Sequence, residues 1–390
     1  MNRVAYLIPT IDRIGGAEQQ VLLLATGLAR RGWRISVIAL SGNGGDAAKT
    51  LQSAGIAFNS LGMRKGLADP RGWLRLHAWI LRNHPDVVHT HLPHASLLAR
   101  WSRIASPVRV IVDTIHSPAT GGRTRRIGYR LSAGSVDVAT AVSQAAAGPW
   151  LKAGLISDGN LAIVPNGVNT DHWKRDEGIR CERRRELGLS DQFLWLAVGR
   201  LSPVKNHATL LRALARITHH TRLVIVGEGP LHDELHSLAS ELGLRERVSF
   251  PGFQNDVCRW MQAADGFVLC SSWEGLPIAL IEAGACELPA VITDIPGSRE
   301  VLPDSLRGAA VPVGDADALA TAMSAVMCLP GEERRALGRQ LRISVCTRFG
   351  LGAVLTQWED LYSALLEKNS QPSRLGLPAA SALRRTFQLQ

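Results

Sequence analysis

Phe193-Leu194-Trp195-Leu196-Ala197-Val198-Gly199-Arg200-Leu201-Ser202-Pro203-Val204-Lys205-Asn206 reads as a buried strand that leaves through a glycine turn toward a helix. The run 193–198 is apolar throughout, as expected of a parallel strand covered on both faces. A helical pattern follows over 207–217. The same unit recurs along the chain. Strands are expected over 4–9, 34–40, 87–89, 108–113, 136–141 and 161–164, then over 193–198, 222–226, 248–250, 266–270, 290–293 and 309–313. Helical patterns stand between them, over 17–30, 70–82, 207–217, 231–242 and 317–328. Asp69-Pro70 supplies an N-cap and first-turn pair, and Asn83-His84-Pro85 a stop. The alternation predicts an α/β protein of two doubly wound parallel sheets.

The boundaries follow from where the alternation breaks. Residues 1–172 form a first lobe. Residues 173–190, with Trp173-Lys174-Arg175-Asp176-Glu177-Gly178 and the charged run 180–186, read as a linker. Residues 191–350 form a second lobe. A last helix over 351–370 carries Trp358, Leu361, Tyr362 and Leu365 at helical spacing and needs a partner to cover it. Residues 371–390 read as a loose tail with Arg374, Arg384 and Arg385.

At 390 residues and 46% apolar, the chain is long enough for two packed cores. No apolar run approaches the roughly 20 residues of a membrane span. The start reads as a buried strand, since its apolar part is short for a signal peptide. The six cysteines are scattered, without a C-x-x-C pair, which fits reduced thiols in a cytosolic protein and no zinc site. The net charge of +10 is uneven: residues 1–185 carry 25 Lys/Arg against 12 Asp/Glu, and residues 186–390 carry 19 against 22. The basic half suits nucleic acid, an anionic membrane or a phosphorylated substrate, or is a solvated arginine-rich surface. No nucleic-acid motif or stacking platform accompanies it, so no nucleic-acid partner is expected.

Ser271-Ser272-Trp273-Glu274-Gly275-Leu276-Pro277-Ile278-Ala279-Leu280-Ile281-Glu282 places two glutamates eight positions apart, the first in a loop and the second on a helix. Eight residues is a little over two helical turns, so both carboxylates can face one ligand, one rich in hydroxyls such as a sugar attached to a ribose. They can equally be solvated surface charge. Arg200 and Lys205 leave a strand end through a turn; a planar donor fork and a point charge together suit a diphosphate. Ile14-Gly15-Gly16-Ala17-Glu18 is not G-x-G-x-x-G, so a dinucleotide fingerprint is not supported. Its glycines let backbone N–H groups approach an anion at a helix start, or serve a tight turn alone. His89-Thr90-His91 ends one strand and His116 the next, where ligands bind in such sheets. No carboxylate or cysteine at ligand spacing joins them, so no metal is expected. Val164-Pro165-Asn166-Gly167 and Phe250-Pro251-Gly252-Phe253 are strand-to-turn passages.

Taken in chain order, these pieces resemble the family-4 retaining glycosyltransferases of the GT-B superfamily, over about residues 3–366. The resemblance rests on Gly15-Gly16-Ala17-Glu18, His89-Thr90-His91, Val164-Pro165-Asn166-Gly167-Val168, Gly199-Arg200 with Lys205, and Glu274 with Glu282. It implies two Rossmann-like lobes facing a central cleft, with the last helix returning to the first lobe. It implies transfer of a hexose-type sugar from a nucleotide-sugar donor to an acceptor hydroxyl, with retention and without metal or cofactor. Arg200 and Lys205 would hold the donor diphosphate, Glu282 the ribose hydroxyls and Glu274 the donor sugar. The backbone of Gly275, Leu276, Pro277 and Ile278 would lie along the sugar and phosphates, and Phe253 near the base. Gly15 and Gly16 would line the diphosphate from the first lobe, and His116 would point at sugar hydroxyls near the reacting carbon. Glu18, His91 and Asn166 would stand on the acceptor side. Asn206 departs from the glycine many relatives carry after the lysine.

The resemblance gives the basic first lobe a meaning, since that lobe binds the acceptor in this family. A lipid-linked glycan of surface polysaccharide or lipopolysaccharide synthesis is the implied acceptor. Arg100-Trp101-Ser102-Arg103 and Arg123-Thr124-Arg125-Arg126-Ile127-Gly128-Tyr129-Arg130 mix cations with apolar groups, a face able to lie on an anionic membrane. A cytoplasmic protein peripheral on the inner face of the plasma membrane is therefore expected. A nucleotide-sugar epimerase of the same fold and a non-enzymatic basic anion-binding protein are the alternatives.

Overall fold

A computed structural model describes residues 2–12, 15–64, 69–106, 108–218 and 220–369. Ile14 and the tail 371–390 lie outside the described residues. The chain forms two compact units, one from the chain up to Gly167 together with Leu351–Lys368, the other from Val168–Gly350.

The first unit is a seven-stranded parallel sheet of β1 (Arg3–Ile8), β2 (Arg34–Ala39), β3 (Ala57–Ser60), β4 (Val87–His91), β5 (Val110–Ile115), β6 (Val138–Ala141) and β7 (Leu161–Ile163), in the order β3-β2-β1-β4-β5-β6-β7. β1 explains why these runs are apolar end to end. Val4, Tyr6 and Ile8 pack against helix Gly16–Arg30, through Val21, Leu24 and Leu28, and against the C-terminal helix, through Val354, Trp358, Leu361 and Tyr362. The alternate residues Ala5 and Leu7 pack on the opposite face, with Leu76, Ile80, Ala95 and Ala99. Each fully buried aliphatic side chain contributes about 1.5–3 kcal/mol, so Leu361 and Leu365 alone anchor the C-terminal helix to this unit. Trp33 Nε1 also donates to Glu359 at 2.9 Å.

The second unit carries β8 (Phe193–Val198), β9 (Thr221–Val226), β10 (Val248–Ser249), β11 (Gly266–Leu269), β12 (Ala290–Thr293) and β13 (Ala310–Val311), all parallel, in the order β10-β9-β8-β11-β12-β13. Trp195 and Ala197 share a core with Leu210, Leu211, Leu214, Leu235, Leu319 and Met323 from the surrounding helices. The chain enters and leaves this unit at one point, where the Val168 N–H donates to Phe349 O at 2.8 Å.

Residues 173–190 are not a linker. Helix Glu177–Glu186 belongs to the second unit and is held by its arginines. Arg180 and Arg184 both pair with Asp265, which also accepts the Leu194 N–H at 2.8 Å, and Arg183 lies over the Trp260 ring. No residue of this helix is buried; its arginines anchor it.

Candidate functional site

In each sheet the strand order reverses once, between β1 and β4 and between β8 and β11. Diverging connections at such a reversal leave a crevice at the carboxyl ends of the strands, where ligands bind. Most of the residues singled out from the sequence fall at these two places, while His116 follows β5, Asn166 follows β7 and Phe253 follows β10.

In the second unit, β8 leaves through Gly199–Asn206 and β11 through Cys270–Pro277. Lys205 Nζ donates to Glu274 Oε1 at 2.6 Å, and Ser271 Oγ donates to the same oxygen at 2.7 Å. The two loops are tied by backbone as well, with the Ser272 N–H on Val204 O at 2.8 Å. Thr293 Oγ1 donates to Ser271 O at 2.6 Å and fixes the loop from β12. Neighbouring turns continue the frame: the Gly227 N–H donates to Gly252 O, and the Leu201 N–H to Glu228 O, both at 2.9 Å. Gly227 is required there, because its φ is +141° and a Cβ would overlap the Gly199 carbonyl. Arg200 is exposed beside this frame, and Phe253 is 57% exposed. Asn206 has φ +50°, a left-handed position that Asn tolerates better than other side-chain-bearing residues. Its departure from glycine is conformationally mild.

Gly275, Leu276 and Pro277 lead into helix Ile278–Ala285, with Pro277 at the N-cap. Its first N–H groups have no intrahelical acceptor, and they carry the positive end of the helix dipole. Glu282 lies inside this helix and is 8% exposed. Burial, with Cys258 as a charged neighbour, pushes its carboxyl up to about 8. The two glutamates of the quoted segment therefore differ: Glu274 is ion-paired in a loop, and Glu282 is buried against thiols.

In the first unit, Gly15 caps helix Gly16–Arg30, and its N–H donates to Glu18 Oε2 at 3.1 Å. Glu18 is thus occupied with the helix start. Gln20 makes a reciprocal pair with Gly167, at 2.9 and 2.8 Å, next to the buried Asn166. β4 ends in His89 and His91, both fully buried. His89 is saturated: Nδ1 meets the Tyr362 hydroxyl and Nε2 the Thr114 hydroxyl, each at 2.6 Å. His91 Nδ1 meets His116 Nε2 at 2.9 Å, and His91 Nε2 is buried without a partner. Burial drives the His91 pKa well below its usual value and pushes His116 down to about 4, with Asp113 opposing the latter shift. Leu92, next in the chain, has φ +69°. That strain sits at the same strand end.

Arg100 is not on a cationic face. It is 2% exposed, its NH2 donates to Asp113 Oδ2 at 2.6 Å, and it lies 4.4 Å over the Tyr129 ring. Arg103 pairs with Asp137. Position on helix Pro93–Ser102, facing β5, turns Arg100 inward, while Arg103, at the C-cap, stays 29% exposed at the side chain. The exposed basic and apolar surface comes instead from Arg123, Arg126, Ile127 and Leu131, with Trp101 and Ile104 also exposed. Ser271, Thr114 and Tyr362 were not foreseen as site residues. Ser271 and Glu274 do stand in S-x-x-E spacing, which brings a hydroxyl and a carboxylate together in a tight turn.

Two family descriptions match the chain: "Glycosyltransferase Family 4" over residues 14–172 and "Glycosyl transferases group 1" over residues 180–343. The chain is 30% identical over 345 residues to phosphatidyl-myo-inositol mannosyltransferase of Mycobacterium leprae, covering 83% of this chain and 87% of that protein. It is 24% identical over 311 residues to the Escherichia coli UDP-Gal:alpha-D-GlcNAc-diphosphoundecaprenol alpha-1,3-galactosyltransferase, covering 76% and 80%. Among solved structures, Anabaena HepE in complex with UDP superposes with a TM-score of 0.82 at 20% identity, over 93% of this chain and 100% of that one.

Proposed function

This chain belongs to glycosyltransferase family 4, with the GT-B fold, and from that membership we propose that it transfers a hexose-type sugar from a nucleoside-diphosphate donor to a lipid-linked acceptor, with retention and without metal or cofactor. The Lys205–Glu274 contact at the reversal of the second sheet carries the reading. An ammonium has three donors, and Glu274 takes one of them, so Lys205 keeps capacity for phosphate oxygens. Arg200, exposed beside it, adds a second cation. The N–H groups opening helix Ile278–Ala285 supply further positive potential.

As the glycosidic bond breaks, negative charge grows on the leaving diphosphate and positive charge on the sugar ring. Arg200 and Lys205 stabilise the first. Glu274 holds a sugar hydroxyl, and Glu282 the ribose hydroxyls. A retaining glycosidase flanks the bond with two carboxylates, one as nucleophile. Here Glu274 is engaged by Lys205 and Ser271, and Glu282 is kept protonated by burial, so neither is a free nucleophile. The leaving phosphate then receives the acceptor proton on the same face of the sugar. Within the first unit, Gly15 and Gly16 follow β1 and His116 follows β5, at the carboxyl strand ends where such sheets take ligands.

Two relatives whose names carry a phosphatidyl-myo-inositol and a diphosphoundecaprenol support a lipid-linked acceptor. The exposed surface of Arg123, Arg126, Ile127 and Leu131 suits an anionic membrane that presents such an acceptor. No helix among the described residues is long and apolar enough to cross a membrane. A peripheral position on the cytoplasmic leaflet completes the reading.

A thermal-stability screen against UDP-glucose, UDP-galactose, UDP-N-acetylglucosamine and GDP-mannose tests it. A ligand at 100 times its Kd adds about 2.7 kcal/mol. The expected result is a raised Tm with one nucleotide sugar and with its nucleoside diphosphate. No shift with any of them overturns the donor site.

A further inference from the structure

The His91–His116 contact has a consequence for where the protons lie. Both rings are neutral at pH 7, since burial lowers both pKa values. The 2.9 Å contact between His91 Nδ1 and His116 Nε2 therefore holds a single proton. Two arrangements satisfy it. In one, His91 Nδ1–H donates to a bare His116 Nε2, and the proton of His116 sits on Nδ1. In the other, His116 Nε2–H donates to a bare His91 Nδ1, and the proton of His91 sits on Nε2.

The surroundings of His91 distinguish them. His91 Nε2 is buried and meets no acceptor. A proton there would be an orphaned buried N–H, which folded proteins almost never tolerate, whereas an under-used acceptor is met more often. The rest of the strand end offers His91 Nε2 no relief. The adjacent His89 ring, with its centroid 4.2 Å away, has both nitrogens taken by Tyr362 and Thr114. The Tyr6 hydroxyl is turned to Tyr362. Thr114 shares its hydroxyl with Thr140 as well, at 2.6 Å.

We propose that His91 is a positioning residue: it donates from Nδ1 to His116 Nε2 and so fixes His116 as the tautomer that carries its proton on Nδ1. His116 is only part-buried, and its Nδ1–H is then a permanent hydrogen-bond donor. A ring locked in this way recognises an acceptor oxygen, such as a sugar hydroxyl oxygen, and cannot take a proton through Nδ1. This excludes His116 as a general base at that nitrogen and makes it an orienting group. The role as a sugar contact rests on the donor reading above; the tautomer does not.

The test is the 15N spectrum of the full chain, labelled at histidine and recorded at pH 7 without ligand. His116→Gln assigns the His116 signals. The expected result is a protonated Nδ1 and a bare Nε2 on His116. His91→Leu removes the donor, and His116 then moves its proton to Nε2 or to a mixture of both. His91→Asn, whose amide nitrogen stands near the place of Nδ1, restores the Nδ1–H form. A wild-type His116 protonated on Nε2 overturns the proposal, whatever His91→Leu does to folding. Because the spectrum is taken without donor, failure of the donor reading leaves this result unaffected, and the nucleotide-sugar screen stands or falls separately.

Discussion

Lys205 and Glu274 lie 69 residues apart in sequence and on loops of different strands, yet their side chains meet at 2.6 Å where the strand order of the second sheet reverses. Both are largely shielded, 20% and 14% exposed. An exposed ion pair contributes about 0–1 kcal/mol to stability. This one is held by Ser271 and by backbone bonds between the loops, which goes beyond what such a small contribution to stability would call for. Its value lies in keeping an ammonium aimed at one point.

Replacing Lys205 by Ala leaves Glu274 without its cation and, on the proposed reading, the donor diphosphate without a transition-state partner. Turnover at saturating donor should fall by about 100- to 1,000-fold, the range for losing one such donor. Tm should change little. A variant with near wild-type turnover removes Lys205 from the chemistry. Glu274→Gln keeps the Ser271 contact and should retain the fold while turnover falls.

Glu282 makes stability depend on pH. Its carboxyl titrates near 8 in the folded chain, against an ordinary 4.5. Between those values the folded state holds a proton that the unfolded state has released, so stability falls as pH rises from about 4.5 to about 8. Glu282→Gln carries no such proton. The difference in Tm between this variant and the wild type should therefore move in favour of the variant from pH 5 to pH 8 and level off above. Thermal melts across that range measure it. A constant difference shows that Glu282 is already ionised at pH 5.

The sheets were legible because the central strands, such as β1, β4, β5, β9 and β11, are buried on both faces, and burial on both faces writes a continuous apolar run. β3 was missed for the opposite reason: Ala57–Ser60 is an edge strand whose residues are part-exposed or exposed. Helix Gln144–Lys152 contains Pro149, which reads as a breaker. Helix Glu177–Glu186 buries no apolar residue at all and is held by Arg180 and Arg184 on Asp265. At the site, Arg200, Lys205, Glu274 and His116 stood out because polar groups at strand ends interrupt apolar runs. Their partners did not. Lys205 finds Glu274, and His89 finds Tyr362, through strand adjacency and a returning helix, neither of which leaves a local pattern. The sequence set Glu274 in a loop and Glu282 on a helix, but the spacing says nothing of the thiols of Cys258 and Cys286 near which Glu282 is buried.

Arg100 and Asp113 form a buried pair, each 2% exposed at the side chain. Asp113 also accepts from Thr90 Oγ1 at 3.0 Å and Ser96 Oγ at 2.6 Å. Removing one partner strands a buried charge, so Asp113→Ala should destabilise by about 3–5 kcal/mol in denaturant unfolding. The paired change Arg100→Met with Asp113→Leu removes both charges and should lie much nearer the wild type. Additive losses would show that the two side chains are not coupled.

The burial of Arg100 and the pairing of Arg103 with Asp137 narrow the proposed membrane surface to helix Arg123–Leu131 and its neighbourhood. Arg123 and Arg126 are exposed, Ile127 is 45% exposed and Leu131 71%. Each basic residue near an anionic bilayer contributes about 1 kcal/mol. Reversing two of them, as Arg123→Glu with Arg126→Glu, therefore removes both attractions and adds repulsion, and should weaken binding to phosphatidylglycerol vesicles by more than 30-fold. Leu131→Ser should weaken it less, and independently of salt. Sedimentation with phosphatidylglycerol and phosphatidylcholine vesicles at low and high salt separates the two contributions. Equal binding to both lipids, or to wild type and the double variant, places the membrane contact elsewhere.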